Sequence, residues 1–327
     1  MVAAPLHLVF LTHPHDQPGG GQAFNAGLIQ ALRTAGHTVE LRHDASDLPP
    51  GATPIVDGLL LPELEAGLDT LVARDAIPVI HHVSANAGRD PAARESVRAI
   101  ERRMLPTFRR IVATSAPVAE RLKTDFALEA TVFTPGQPDL PRSVGSTEGP
   151  CRILCAGVLT PRKGQDRLLQ ALARLFDLDW TLAIAGDTRR DPVHAGAVAA
   201  LVDTLQLRSR VTILPDPSPD ALEEAWQNAD LFALATSWEG HPAGIAEALR
   251  RGIPVLTTKV GDIPGLVPQA AGIIAPPDDP VTFSKCLRRA VFDRDLRAAL
   301  AEGAWVVGQS MPGWPQQALA FAAILRS

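Results

Sequence analysis

Two segments of this 327-residue chain carry side chains whose types and spacing could do chemistry. The first, Gly157-Val-Leu-Thr-Pro-Arg-Lys-Gly164, follows an apolar run and opens a helical stretch from Gln165 to about Phe176. A helix N-terminus offers free N–H groups and the positive end of the helix dipole. Arg162 and Lys163 in that first turn make a place to hold a diphosphate. Acids complement the dipole there, so two cations read as ligands and not as caps. The chain has only four lysines against 27 arginines, which makes a lysine in such a turn less a matter of chance. In the second segment Glu239 precedes a predicted helix and Glu247 lies inside it, eight positions on. Eight residues is slightly over two turns, so both carboxylates can project to one side. One can bond ribose hydroxyls while the other reaches a sugar. Two ordinary surface glutamates would show the same spacing, but Gly240, Pro242, Gly244 and Gly252-Ile-Pro-Val255 around them favour binding.

A third feature, Gly19-Gly20-Gly21, precedes a helical pattern with Phe24, Leu28 and Leu32 at i, i+4 and i+8. A tight turn and a ligand loop explain it about equally. Phe24 takes the third glycine position of G-x-G-x-x-G, which weakens a dinucleotide reading. Glu40 nonetheless stands about where a ribose-binding acid would.

These residues need a scaffold, and the apolar pattern supplies one. Runs at Leu6–Leu11, Thr38–Leu41, Ile55–Leu61, Ile77–Val83 and Ile111–Thr114 read as strands. They alternate with helical patterns at Leu64–Arg74, Asp90–Phe108 and Ala116–Phe126. The segment Thr134–Pro150, with four prolines and three glycines, breaks the rhythm as a linker would. Alternation then restarts, with strands expected at Arg152–Ala156, Thr181–Ala185, Val211–Leu214, Leu231–Ala235, Pro254–Thr257 and Gly272–Ile274. The expected fold is α/β, with two Rossmann-like doubly wound domains facing across a cleft and ligands at the carboxyl ends of the strands. The first domain spans 1–140 and the second 150–308, and a last helix over 314–326 packs back on the first.

Bulk properties narrow the function. A net charge of -5 and a pI near 6.0 exclude a general nucleic-acid binder. No apolar run reaches the length of a membrane span, and the N-terminus lacks a basic n-region. Three cysteines without a second cluster read as free thiols of a reducing, cytoplasmic compartment.

The second half resembles the nucleotide-sugar domain of the family-4 retaining glycosyltransferases (group 1) of GT-B fold. The resemblance rests on Pro161-Arg-Lys-Gly164, Ala185-Gly-Asp187, Asn228-Ala-Asp-Leu231, Ser237-Trp-Glu-Gly240, the Glu239/Glu247 spacing, Gly252-Ile-Pro-Val255 and Ala271–Asp278. Looser matches in the first half are Gly19–Gly21, Gly36-His-Thr-Val39, Pro78-Val-Ile-His-His82 and Val112–Ser115. The resemblance implies that Lys163 neutralises the donor diphosphate, Glu247 bonds the ribose and Glu239 contacts the donor sugar. His81 would stand beside the reacting centre, with His82 as the lesser claimant. Gly20, Gly21, Arg162, Gly186, Gly240, His241 and Ala243 complete the implied donor-binding set. Val158 stands where the family has an arginine, Pro242 where glycine is common, and Gly265 where glutamate is frequent. These departures keep a catalytically silent nucleotide-sugar binder as the alternative.

The implied reaction is retaining transfer to a small-molecule, glycan or lipid-linked acceptor. No Asp-x-Asp stands at a strand end to hold a metal, so Lys163, Arg162 and a helix N-terminus would meet the charge on the leaving diphosphate. The nucleotide sugar is a co-substrate, and no cofactor or metal is expected. A hydrolase would need two carboxyls flanking the scissile bond, which nothing here singles out. In Arg94–Arg110, Val97, Ile100, Met104 and Phe108 form an apolar stripe, with Arg94, Arg98 and Arg102 on another face. A core-facing helix with solvated arginines is the first reading, and weak peripheral membrane contact the second.

Overall fold

The computed structural model describes residues 4–13, 20–83, 91–146 and 148–327, the side chains of 91–94 apart. The chain divides into two compact units, Met1–Pro138 with Pro312–Ser327, and Asp139–Met311. In the first, β1 (His7–Leu11), α1 (Gly20–Thr34), β2 (Thr38–Arg42), β3 (Thr53–Asp57), α2 (Leu68–Ala73) and β4 (Ile77–Ile80) come in turn. They are followed by α3 (Pro91–Met104), β5 (Val112–Ala113), α4 (Ala116–Phe126) and β6 (Thr131–Val132). All the strands are parallel, in the order β2-β1-β3-β4-β5-β6.

Both faces of this sheet are covered, and the strand period of two distributes the core. Leu8 and Phe10, Ile55 and Val79 pack into one apolar cluster, whereas Leu11, Val56 and Ile80 pack into the other.

The second unit holds β7 (Cys151–Ala156), α5 (Gln165–Leu172), β8 (Trp180–Gly186), α6 (Pro192–Thr204), β9 (Val211–Pro215) and α7 (Pro219–Gln227). Then come β10 (Leu231–Leu234), α8 (Ala243–Arg250), β11 (Val255–Thr258), α9 (Ile263–Leu266) and β12 (Gly272–Ala275). Helices α10 (Pro280–Phe292) and α11 (Arg294–Ser310) close the unit. Its parallel sheet runs β12-β11-β10-β7-β8-β9. The chain leaves β7 for β8 on one side and later returns to β10 on the other. In doubly wound sheets ligands bind at the carboxyl ends of the strands flanking such a reversal, here β7 and β10, and the first unit repeats the reversal at β1 and β3.

Helix α12 (Trp314–Arg326) belongs to the first unit, where Phe321 meets Phe133 edge-on at 5.0 Å and Trp314 meets Phe24 at 5.8 Å. Gly27 and Gly136 make room for the Trp314 indole, which a Cβ at either position would strike.

Several local expectations change. The helix read over 64–74 is a 3-10 turn, Leu61–Gly67, followed by α2, because Pro62 and Gly67 do not extend an α-helix. The helix read to Phe108 ends at Met104, where Pro106 imposes the 3-10 turn Leu105–Thr107, and Asp90 lies outside the described residues. Strand β6 is two exposed residues and left no apolar run to read. The glycine loop shortens: Gly20 and Gly21 form the first turn of α1, while Gly19 lies outside the described residues. Among the described residues no helix is long and apolar enough to cross a membrane.

Candidate active site

In the second unit the polar side chains gather at the β7/β10 reversal. After β7 the chain turns at Gly157 (φ +147°), runs through the short 3-10 turn Pro161–Lys163 and enters α5 from Gly164 (φ +68°). Gly164 lies against the Ala235 carbonyl, so the turn and the loop after β10 touch backbone to backbone. The Ser237 N–H donates to the Arg162 carbonyl at 2.8 Å and locks the two together.

Glu239 sits at the centre of this contact with 3 % of its surface exposed. Its Oε1 accepts from Lys163 Nζ at 2.7 Å and Thr236 Oγ1 at 2.9 Å, and lies 3.0 Å from Arg162 Nη1. Burial alone would push this carboxyl up. The charges of Lys163 and Arg162 outweigh it and hold Glu239 down at about 2. The same burial works against the Lys163 ammonium and lowers its pKa, with Glu239 pulling the other way. Arg162 also donates to the Trp238 carbonyl at 2.5 Å, so its charge faces the loop after β10.

Glu247 lives in a different environment. It lies in the second turn of α8 and bonds Arg251, whose Nε and Nη2 reach Oε1 at 3.2 and 3.0 Å. Arg251 is buried, forks onto Glu223 at 2.8 and 2.6 Å, and lies 5.6 Å over the Trp226 ring. Burial first, and the neighbouring Glu223 charge after it, raise Glu247 against the pull of Arg251. The bonds of Glu239 and Glu247 therefore run to different partners, and their affinities for a proton are pushed in opposite directions.

The N-terminus of α8 completes the group. It starts from Pro242 with no side-chain cap and no acid in its first turn. A Cβ at Gly244 would come 3.2 Å from the Ala156 carbonyl, which places this end beside the end of β7. First-turn N–H groups without a cap suit an anion. Gly240 is buried in the leading loop, and the Ala243 N–H folds back on the His241 carbonyl at 3.0 Å. The His241 side chain is 10 % exposed, and its Nδ1 lies 3.6 Å from Asp262 Oδ2. Neither ring nitrogen has a hydrogen-bond partner among the described residues. Gly186, at φ +158°, ends β8 against the Gly157 carbonyl, so its missing side chain serves the backbone turn.

In the first unit His81 follows β4 with its Nε2 3.6 Å from Asp57 Oδ1 and its ring edge-on to Phe24 at 4.8 Å. Gly21 lies over the same ring, since a Cβ there would approach His81 Cδ2 at 3.5 Å. His82 is half-buried beside it. Sequence reasoning missed Asp57, Arg251 and Glu223. An aspartate inside the apolar run Ile55–Leu61 was the available signal for the first. The Arg94 side chain lies outside the described residues, whereas Arg98 and Arg102 approach Glu95, and Arg103 bonds Glu65.

The sequence from 136 to 305 matches the family model for glycosyl transferases group 1, and the chain belongs to that family. A D-inositol 3-phosphate glycosyltransferase of Mycolicibacterium smegmatis is 31% identical over 150 residues, covering 45% of this chain and 34% of that protein. One from Rhodococcus opacus is 25% identical over 266 residues, covering 67% of this chain and 59% of that protein. The chain thus matches between a third and three-fifths of the length of these relatives. Among solved structures, a sucrose-phosphate synthase from Thermosynechococcus elongatus superposes with a TM-score of 0.84 at 17% identity, covering 99% of this chain and 98% of that one. HepE of Anabaena in complex with UDP and glucose gives 0.75 at 15%, covering 98% and 99%. These likenesses establish the GT-B fold, two Rossmann-like α/β units with parallel sheets.

Proposed function

We propose that the protein is a retaining glycosyltransferase that moves a sugar from a nucleoside-diphosphate donor to an acceptor hydroxyl. The observation that carries this reading is the convergence of Lys163 and Arg162 on one oxygen of buried Glu239, beside the uncapped start of α8. Expelling a nucleoside diphosphate from an anomeric carbon builds charge on the leaving phosphate. Fixed cations and helix N–H groups aimed there lower that barrier without a metal. Lys163 and Arg162 meet the diphosphate, with the backbone of Gly240 and Ala243 beside it. Glu247 accepts from ribose hydroxyls, its carboxylate held by Arg251. Glu239 and His241 serve the donor sugar, and His81 is assigned a role at the reacting centre. Gly21 keeps the start of α1 open above His81, Gly20 precedes it in the same first turn, and Gly186 keeps the turn after β7 in place.

Two named likenesses guide the choice of substrates. HepE is solved with UDP-glucose, so uridine donors come first, and the inositol-phosphate relatives suggest a hydroxyl-rich phosphorylated acceptor. The test is a thermal-shift screen against UDP, GDP, ADP and their sugar conjugates, followed by NMR of the product's anomeric configuration. A shift with one nucleotide, together with an anomer that keeps the donor's configuration, supports the reading. Binding without transfer or donor hydrolysis would replace it with a silent nucleotide-sugar binder.

A further inference from the structure

We propose that Asp57 is the positioning residue of His81, holding the imidazole in one orientation with its Nε2 edge toward a buried carboxylate. The inference rests on the transferase reading for what His81 does, but not for how His81 is held. Asp57 is the last residue of β3, and its side chain is 3 % exposed. An ionised carboxylate is rarely buried this far without partners. It has them: Asn25 Nδ2 donates to Oδ2 at 2.7 Å, and the Leu59 N–H donates to Oδ1 at 2.9 Å. Thr12, at the end of β1, joins through its hydroxyl, which accepts from Asn25 at 3.0 Å. The carboxylate is thus fixed across the β1/β3 reversal before any ligand arrives.

Both of its oxygens are engaged as acceptors, which is why an acid stands here and not an amide. An asparagine at 57 would turn its NH2 group against a donor, either Asn25 Nδ2 or the Leu59 N–H. His81 Nε2 faces Oδ1 at 3.6 Å, an ion-pair separation somewhat longer than a hydrogen bond. Catalytic hydrogen bonds are often long without ligand and tighten in the complex. Phe24 fixes the ring from α1 at 4.8 Å, so the imidazole is held by a ring edge on one side and by a charge on the other. A carboxylate facing one nitrogen of a histidine favours the proton on that nitrogen and sets the ring's orientation.

The arrangement also supplies its own control. Exchanging the two partners, as D57N/N25D, keeps a donor and an acceptor facing each other while moving the charge off position 57. The experiment uses the full chain labelled with 15N-histidine, with His81→Asn to assign the His81 ring signals. Turnover of the best donor and acceptor pair is measured alongside. We expect D57N/N25D to fold and to shift the His81 ring-nitrogen signals. Its kcat should fall about 100-fold, as for a misplaced catalytic group, with KM for the donor unchanged. Asp57→Asn alone should show the same signature with a lower Tm. Unshifted His81 signals in a folded exchange variant overturn the proposal, as does an unchanged kcat in a wild type that transfers sugar. Should the wild type transfer nothing, the transferase reading falls separately, and the ring signals alone decide the role of Asp57.

Discussion

Lys163 Nζ and Glu239 Oε1 lie 2.7 Å apart across the two strands between which the second sheet reverses direction. The pair joins the turn after β7 to the loop after β10. Its two halves are 76 residues apart in the chain. One carboxylate oxygen gathers both cations, so on the proposed function a donor diphosphate would meet a cluster that is already assembled.

Removing Lys163 tests that cluster directly. Lys163→Ala should slow transfer on the order of 100-fold, about 3 kcal/mol of lost leaving-group stabilisation. It should also abolish the thermal shift given by the donor nucleotide. Steady-state kinetics with the wild-type substrate pair reads the first, and differential scanning fluorimetry the second. Transfer within a few-fold of wild type would remove Lys163 from the reaction.

Glu239 makes stability depend on pH. Its carboxyl is held at about 2, below its ordinary 4.5, so it stabilises the fold fully above the ordinary value. That contribution is lost as pH falls through about 2. Glu239→Gln should therefore melt below wild type at pH 7, with two partly buried cations left without their shared carboxylate. The gap in Tm should narrow below the ordinary carboxylate range, which a series of melts from pH 7 downward measures. A gap independent of pH would show that the charge of Glu239 is not what holds the loop.

Glu247 should behave in the opposite sense. Burial raises its carboxyl, so ionisation there costs the folded state, and the cost is relieved as pH falls toward the raised value. Glu247→Gln should melt at or above the wild-type temperature while losing about tenfold in nucleotide affinity, one charged hydrogen bond to ribose. Isothermal titration with the preferred nucleotide checks the affinity. A destabilised variant that binds normally would make Glu247 a structural residue of the Arg251 cluster.

His241 offers two buried ring nitrogens that make no hydrogen bond among the described residues, with Nδ1 lying 3.6 Å from Asp262 Oδ2. Removing them breaks no hydrogen bond among the described residues and gives up only the 3.6 Å approach of Nδ1 to Asp262, so His241→Phe should melt close to wild type. If the donor sugar supplies the missing partner, KM for the donor rises about tenfold, the worth of one hydrogen bond. An unchanged KM would take His241 out of the sugar contact.

Gly27→Ala addresses the fold alone. A methyl group there meets the Trp314 indole, and such overpacking costs about 1–3 kcal/mol. The melting temperature should fall by about 2–4 °C for each of those kcal/mol. Donor binding measured below the melting range should be untouched.

Much of this was legible in the residues, for reasons that can be named. Parallel strands buried on both faces are largely apolar, so β1, β4, β7 and β10 announce themselves as short apolar runs. Lys163 stands out because its turn follows a strand and opens a helix. Spacing along one helix says nothing about partners on other elements, however. Glu247 looked like a companion of Glu239, yet its bonds go to Arg251, which is tied to Glu223, 28 positions earlier. Asp57 ends β3 and His81 follows β4, 24 positions on, and the β3/β4 pairing brings them together. The run Ile55–Leu61 read as one strand hid the fact that the strand stops at Asp57.

The position of α12 bears on the order in which the molecule can be made. The 139–311 unit is a single continuous stretch, complete once Met311 has been synthesised. The other unit is split, and its core lacks Ala318 and Phe321, both fully buried, until the chain beyond Met311 has been made. Domains commonly mature in the order of synthesis. Here the unit that holds α1 is completed only after the 139–311 unit, and a nascent chain carries an open apolar face on α1 and Phe133 throughout the making of that other unit.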